Sequence, residues 1–208
     1  MLKQRLISAL ILSIGIVSLI FALPSQYLIY FILLLTCISL LEFLSLRFSN
    51  KSAILFVCFS LVLLYLSSFP GLNKVFIGLG VITYLGLFFL IISFPVSKPF
   101  IQRNLIWLFS GITIHLGFFA SLYFLINQDE PVLLYFGMDI TNRATLFIVV
   151  LISVLMDSLA FFGGKKFGQN KLLQNVSPNK TVEGFLIAIT LTPLIILLLT
   201  FSLIEKNF

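Results

Sequence analysis

Seven mostly apolar stretches, near residues 6–23, 27–46, 53–69, 75–94, 104–126, 144–162 and 184–204, occupy most of this chain. Each is close to the roughly 20 apolar residues that a helix needs to cross a hydrocarbon core about 30 Å thick. Inside lipid no water can satisfy backbone amides, so each stretch must bond internally as a helix. The expected fold is all-α: a polytopic transmembrane helical bundle of about seven spans, a single membrane domain over 1–208 with a polar motif loop at 163–183. Hydrophobic residues make up 60% of the chain and charged residues 10%, against about a quarter charged in soluble domains. That excludes a water-soluble globule. Cys37 and Cys58 lie within apolar stretches, without metal-ligand spacing, and read as packing residues.

The first stretch follows Lys3 and Arg5 as a secretion signal would, but it ends at Leu23-Pro24-Ser25 with no small-residue cleavage pattern. It is therefore expected to remain as the first span. Basic residues sort with the alternating loops. Lys3, Arg5, Arg47, Lys51, Lys98, Arg103, Lys165, Lys166, Lys171 and Lys180, ten of the 13 Lys and Arg, fall on one side. Lys74, Arg143 and Lys206 fall on the other. The positive-inside rule then puts the amino terminus and the most basic loop in the cytoplasm. Glu42, Asp157 and Glu183 share that side, while Asp129, Glu130, Asp139 and Glu205 are expected outside. The net charge of +6 thus reads as orientation and contact with anionic membrane lipids, not as a nucleic-acid surface.

The chemistry concentrates in 157–184. Asp157 is expected about five residues inside the sixth span, roughly 8 Å deep, and acids at such depth are kept for a cation, a partner or a reaction. The plainer reading is a salt bridge to a lysine. Gly163-Gly164 is expected to end that helix and let backbone amides approach a ligand, with Lys165 and Lys166 supplying charge for phosphate. The spacing is not that of a Walker loop. Ser177-Pro178 reads as a helix start, with Ser as cap and Pro first, which would place Lys180 and Thr181 in the first turn beside Glu183. A helix amino terminus, a lysine and a hydroxyl together suit an anion. An ordinary capped helix with a solvated lysine would leave the same trace.

The segment resembles the bacterial phosphatidate cytidylyltransferases, or CDP-diacylglycerol synthases. Their pattern runs approximately Asp-Ser/Thr-x-Ala-Tyr/Phe-x-x-Gly-Arg/Lys-x-Phe-Gly, then Lys-Leu, then Ser-Pro-Lys-Lys-Thr-x-Glu-Gly. Asp157, Ser158, Ala160, Phe161, Gly164, Lys165, Phe167, Gly168, Lys171, Leu172, Ser177, Pro178, Lys180, Thr181, Glu183 and Gly184 match it. Leu2 to Ile7 and Glu42-Phe43 are similar to the family's first two spans. Gln169 and Asn179 stand where lysine is common, and Ile187 replaces a frequent glycine. The family's second signature, a Lys-Asp pair followed by Pro-Gly-His-Gly-Gly and an Asp-Arg-x-Asp cluster, does not occur here.

The resemblance implies a multi-pass enzyme of the bacterial inner membrane that transfers CMP from CTP to phosphatidic acid, giving CDP-diacylglycerol and pyrophosphate, with Mg²⁺ as cofactor. Carried over, Asp157, Lys180 and Glu183 are the catalytic candidates, with Asp157 and Glu183 as metal ligands. Gly164, Lys165, Lys171, Ser177 and Thr181 are the substrate-binding candidates. Metal-assisted nucleotidyl transfer usually draws on several carboxylates, and Glu42, Asp157 and Glu183 are the acids on the expected side. The shortage raises the alternatives of a truncated or degenerate non-catalytic member, and of a homodimer pooling carboxylates. A CTP-dependent lipid kinase or an isoprenoid-lipid cytidylyltransferase would share the site with a different acceptor. A transporter would want broken or charged helices at mid-membrane. His115 is the one such residue, and a lone membrane histidine more often bonds to a neighbouring helix.

Overall fold

The computed structural model describes residues 13–128, 133–135 and 138–205. Residues 6–12 of the first expected span, Lys3, Arg5, Asp129, Glu130 and Lys206 lie outside the described residues. The elements run α1 (Ser13–Ala22), α2 (Ser25–Ser45), α3 (Asn50–Leu66), α4 (Pro70–Ile92), α5 (Lys98–Ile101), α6 (Asn104–Asn127), β1 (Leu133–Tyr135), β2 (Met138–Ile140), α7 (Asn142–Phe167), β3 (Lys171–Leu173), β4 (Ser177–Thr181) and α8 (Val182–Glu205). Among the described residues five helices, α2, α4, α6, α7 and α8, are long and apolar enough to cross a membrane, while α1 and α3 are apolar but shorter. The chain is an all-helical membrane protein to which two short antiparallel ribbons are added, β1 with β2 and β3 with β4. It divides into two compact units, with the boundary inside α7 after Leu146.

In the first unit α6 is the hub, packed against α2, α3, α4 and α5. Leu40 and Leu44 of α2 and Ala53 and Val57 of α3 form a buried cluster, with Phe43, Phe48, Phe56 and Leu108 against it. Glycine sets the closest approach. A Cβ built on Gly80 of α4 would lie 2.8 Å from the Cα of Gly117 in α6, so both positions must stay bare for the backbones to meet. Phe43 fills the space over Gly111, stacks on Trp107 at 4.8 Å and accepts the Trp107 indole N–H at its carbonyl.

Hydrogen bonds then fix the pairing, because lipid offers helices no hydrophobic reason to prefer one neighbour. Thr113 donates to Thr83 at 3.0 Å across the α4–α6 contact, and the Asn73 amide donates to the carbonyls of Ser67 and Ala120. His115 sits between Gly111 O and Ser39 Oγ, bonded across helices as the sequence led one to expect. Arg143 reaches the α1 end, donating to the carbonyls of Ile20 and Phe21. Carbonyls in the last turn of a helix lack the partners that the next turn would have supplied, and a cation complements that end of the helix dipole.

In the second unit the structure corrects two sequence expectations. Gly163 and Gly164 do not end a helix; α7 continues through them to Phe167. Ser177 does not begin one either. Residues 177–181 form β4, paired with β3 so that Lys171 faces Thr181 and Leu173 faces Ser177. Proline is tolerated in a strand of such a two-stranded ribbon because it can sit where no N–H is needed. The expected polar loop at 163–183 is therefore the last turns of α7, a tight turn and a hairpin.

Candidate functional site

The hairpin is held by close packing at the start of α8. A Cβ on Gly184 would lie 2.5 Å from the carbonyl oxygen of Ala160 and 2.9 Å from the Cα of Gly164, so α7 and α8 cross with glycine on both sides. A Cβ on Gly164 would lie 2.7 Å from the Thr181 hydroxyl, which shows how tightly β4 seats on the helix. Ile187, the departure from glycine noted above, lies over Gly163, where an added Cβ would meet its side chain at 2.9 Å. The bare glycine on α7 makes room for the branched residue on α8.

Thr181, not Ser177, caps α8: its hydroxyl accepts the Gly184 N–H at 3.2 Å. The Val182 N–H is taken by the Asn170 carbonyl at 3.0 Å. Two first-turn amides, those of Val182 and Gly184, are thus bonded within the protein, and Glu183 already places a negative charge there. The helix terminus is not the open anion site that the sequence suggested.

The lysines of this segment are exposed. Lys180 of β4 reaches back along α7 to Asp157, with Nζ 3.7 Å from Oδ1, and both side chains are more than half accessible. Because α7 runs on to Phe167, Asp157 lies ten residues before the helix end rather than five. The long 3.7 Å separation makes this a loose ion pair. Lys171 is exposed at the base of the hairpin, and Lys165 is exposed on the last turns of α7 beside Lys166, whose ammonium lies 5.2 Å from the Phe167 ring centre. Ser177 is half-buried opposite Leu173.

Glu183 stands apart. Oε1 accepts from the Asn170 main-chain N–H at 3.1 Å and from its side-chain amide at 2.8 Å; Oε2 accepts from the N–H of Gln169 at 3.1 Å and of Asn170 at 3.2 Å. Asn170 was missed by sequence reasoning, and Gln169 was noted only as standing where lysine is common; the trace was Gly168 and Asn170 close together, residues that favour turns. Among the described residues no group of three or more His, Cys, Asp or Glu side chains is placed to hold a metal ion. Mg²⁺ commonly uses one or two carboxylates together with substrate phosphates. Asp157, exposed and paired loosely, fits such a single-carboxylate role; Glu183 is already engaged by three amide donors, the Asn170 main-chain N–H bridging both of its oxygens.

The cytidylyltransferase family model matches residues 3–207, and the chain belongs to that family. Over 63 residues it is 40% identical to a Mycoplasma pneumoniae protein whose name assigns it provisionally as a phosphatidate cytidylyltransferase. That match spans 30% of this chain and 15% of the relative. No solved structure matches the chain.

Proposed function

We propose that the protein transfers CMP from CTP to phosphatidic acid at a membrane surface, with the α7–hairpin–α8 region as its nucleotide site. The observation that carries this reading is Lys180 beside Asp157 at 3.7 Å, on a hairpin that also presents Lys171. The reaction joins a phosphate oxygen of phosphatidic acid to the α-phosphorus of CTP and breaks the bond to the β-phosphate, releasing pyrophosphate. No protein nucleophile is required. What the protein supplies is position and charge, which are the main source of catalysis in phosphoryl chemistry. Lys180 and Lys171 bind the phosphates, Lys165 draws the anion toward the membrane surface, and Ser177 and Thr181 line the hairpin. Asp157 would hold Mg²⁺, which would neutralise charge on the phosphates.

The topology that fits this reading has about seven spans, with the amino terminus and the hairpin in the cytoplasm of a bacterial inner membrane. Helix α3, 17 residues long, extends about 26 Å at 1.5 Å per residue, the short end of what crosses a bilayer. The ten-to-three partition of basic residues supports the orientation.

The test is turnover of labelled CTP by the purified protein in vesicles containing phosphatidic acid and Mg²⁺. CDP-diacylglycerol formed only when phosphatidic acid is present, and reduced about a hundredfold or more in Asp157→Asn, is the expected result. Phosphorylated lipid as product would make the protein a lipid kinase, and full activity in Asp157→Asn would remove that residue from the mechanism.

A further inference from the structure

We propose that Asn170 and Glu183 form a positioning clasp that fixes the hairpin lysines for the nucleotide's phosphates, and that Glu183 acts through this clasp and not as a metal ligand. The role in catalysis rests on the proposed CTP reaction; the clasp itself does not.

The geometry is closed in both directions. A carboxylate offers about four lone-pair sites, and Glu183 accepts from three donors, the Gln169 N–H, the Asn170 side-chain amide and the Asn170 N–H, which is shared between both oxygens. In return the Asn170 carbonyl accepts the Val182 N–H at 3.0 Å, next to Glu183 in the chain. The turn after α7 is therefore tied to the first turn of α8 by donors and acceptors on both sides. Hydrogen bonds to a charged acceptor are roughly twice as strong as neutral ones, so the link adds to the few main-chain bonds of so short a ribbon.

Its placement gives it consequence. Lys171 follows Asn170 directly, and Lys171 faces Thr181 in the ribbon, with Lys180 one residue earlier. The clasp sits at the base of the hairpin, where both lysine-bearing strands leave the helices. Opening it would let the strands part and would change the distance between the two cations. A metal ion at Glu183 would compete with the Gln169 and Asn170 amides for the same two oxygens and so loosen the arrangement that presents the lysines.

Three variants distinguish the roles. Glu183→Gln turns one acceptor into a donor that faces N–H groups; Asn170→Asp sets carboxylate against carboxylate. In the double variant N170D/E183Q the introduced amide donates to the introduced carboxylate, which restores a side-chain bond with reversed polarity. The clasp predicts that each single variant raises the KM for CTP about tenfold, the size expected for one charge-assisted hydrogen bond, with kcat changed much less. The Mg²⁺ concentration for half-maximal rate stays the same, and the double variant recovers part of the loss. Hydrogen exchange provides the readout independent of activity: the amides of Gln169 and Asn170 lose protection in Glu183→Gln and regain some in the double variant. Unchanged protection in Glu183→Gln would overturn the clasp whatever the activity. A raised Mg²⁺ requirement in Glu183→Gln with normal turnover in Asn170→Asp would return Glu183 to the metal. Protection lost in Glu183→Gln, when the wild type itself does not turn over CTP, would leave the clasp standing and overturn its role in this reaction.

Discussion

Two glycine crossings hold this protein together, and they serve different ends. Gly80 and Gly117 let α4 and α6 meet along apolar faces in the first unit, with the Thr83–Thr113 bond alongside. Gly164 and Gly184 let α7 and α8 meet in the second, with the Thr181 hydroxyl against Gly164 and a charged hairpin emerging at the crossing. The first crossing is about packing alone. The second fixes where Asp157 and Lys180 stand, so geometry there is inseparable from charge. The same small residue therefore carries stability in one place and site architecture in the other.

The sharpest way to break the comparison is to fill each crossing. Gly184→Val would push a side chain toward the Ala160 carbonyl at 2.5 Å, and backbone is a poor neighbour to displace. Overpacking of this kind costs about 1–3 kcal/mol and occasionally more. We expect it to lower the thermal midpoint in detergent and to abolish CTP turnover together. Gly117→Val, with a Cβ 2.8 Å from the Gly80 Cα, should lower the midpoint by a similar mechanism, while the protein that remains folded keeps its specific activity. Equal loss of specific activity in both variants would mean that the two crossings are not functionally distinct.

A smaller effect sharpens the same contrast. Thr83→Val removes the hydroxyl partner of Thr113 at an inter-helix contact. Membrane hydrogen bonds of this type average about 0.6 kcal/mol, so unfolding in mixed micelles should shift slightly and turnover should not change. A loss of activity there would show that the first unit's packing reaches the chemistry.

The contrast also explains what could be read from the sequence. The apolar stretches near 27–46, 104–126 and 144–162 became α2, α6 and α7 within a few residues, because lipid leaves a long apolar segment no alternative to helix. The Asp157, Lys180 and Glu183 constellation was visible as a motif for the same reason, since charge is conspicuous in such a chain. Its conformation was not. Ser177-Pro178 satisfies the local rules for a helix start, but pairing with Lys171–Leu173 is non-local, and it delays the helix until Thr181 supplies the cap. Gly163-Gly164 looked like a stop because glycine is weak in helices. Here Gly163 and Gly164 lie against Ile187 and Thr181, contacts that no window of neighbouring residues contains. Asn170 was invisible until Glu183 was seen beside it.

The central claim is that the hairpin lysines, not a helix terminus, meet the nucleotide. It is tested most directly by titrating CTP onto the purified protein in lipid nanodiscs, wild type against Lys180→Ala, with Lys74→Ala, a lysine of α4 outside the hairpin, as a control. The account predicts saturable binding that weakens about tenfold or more in Lys180→Ala, as loss of a charge-assisted contact to phosphate requires, and is unchanged in Lys74→Ala. Equal affinity in wild type and Lys180→Ala would contradict it and move the nucleotide away from the hairpin.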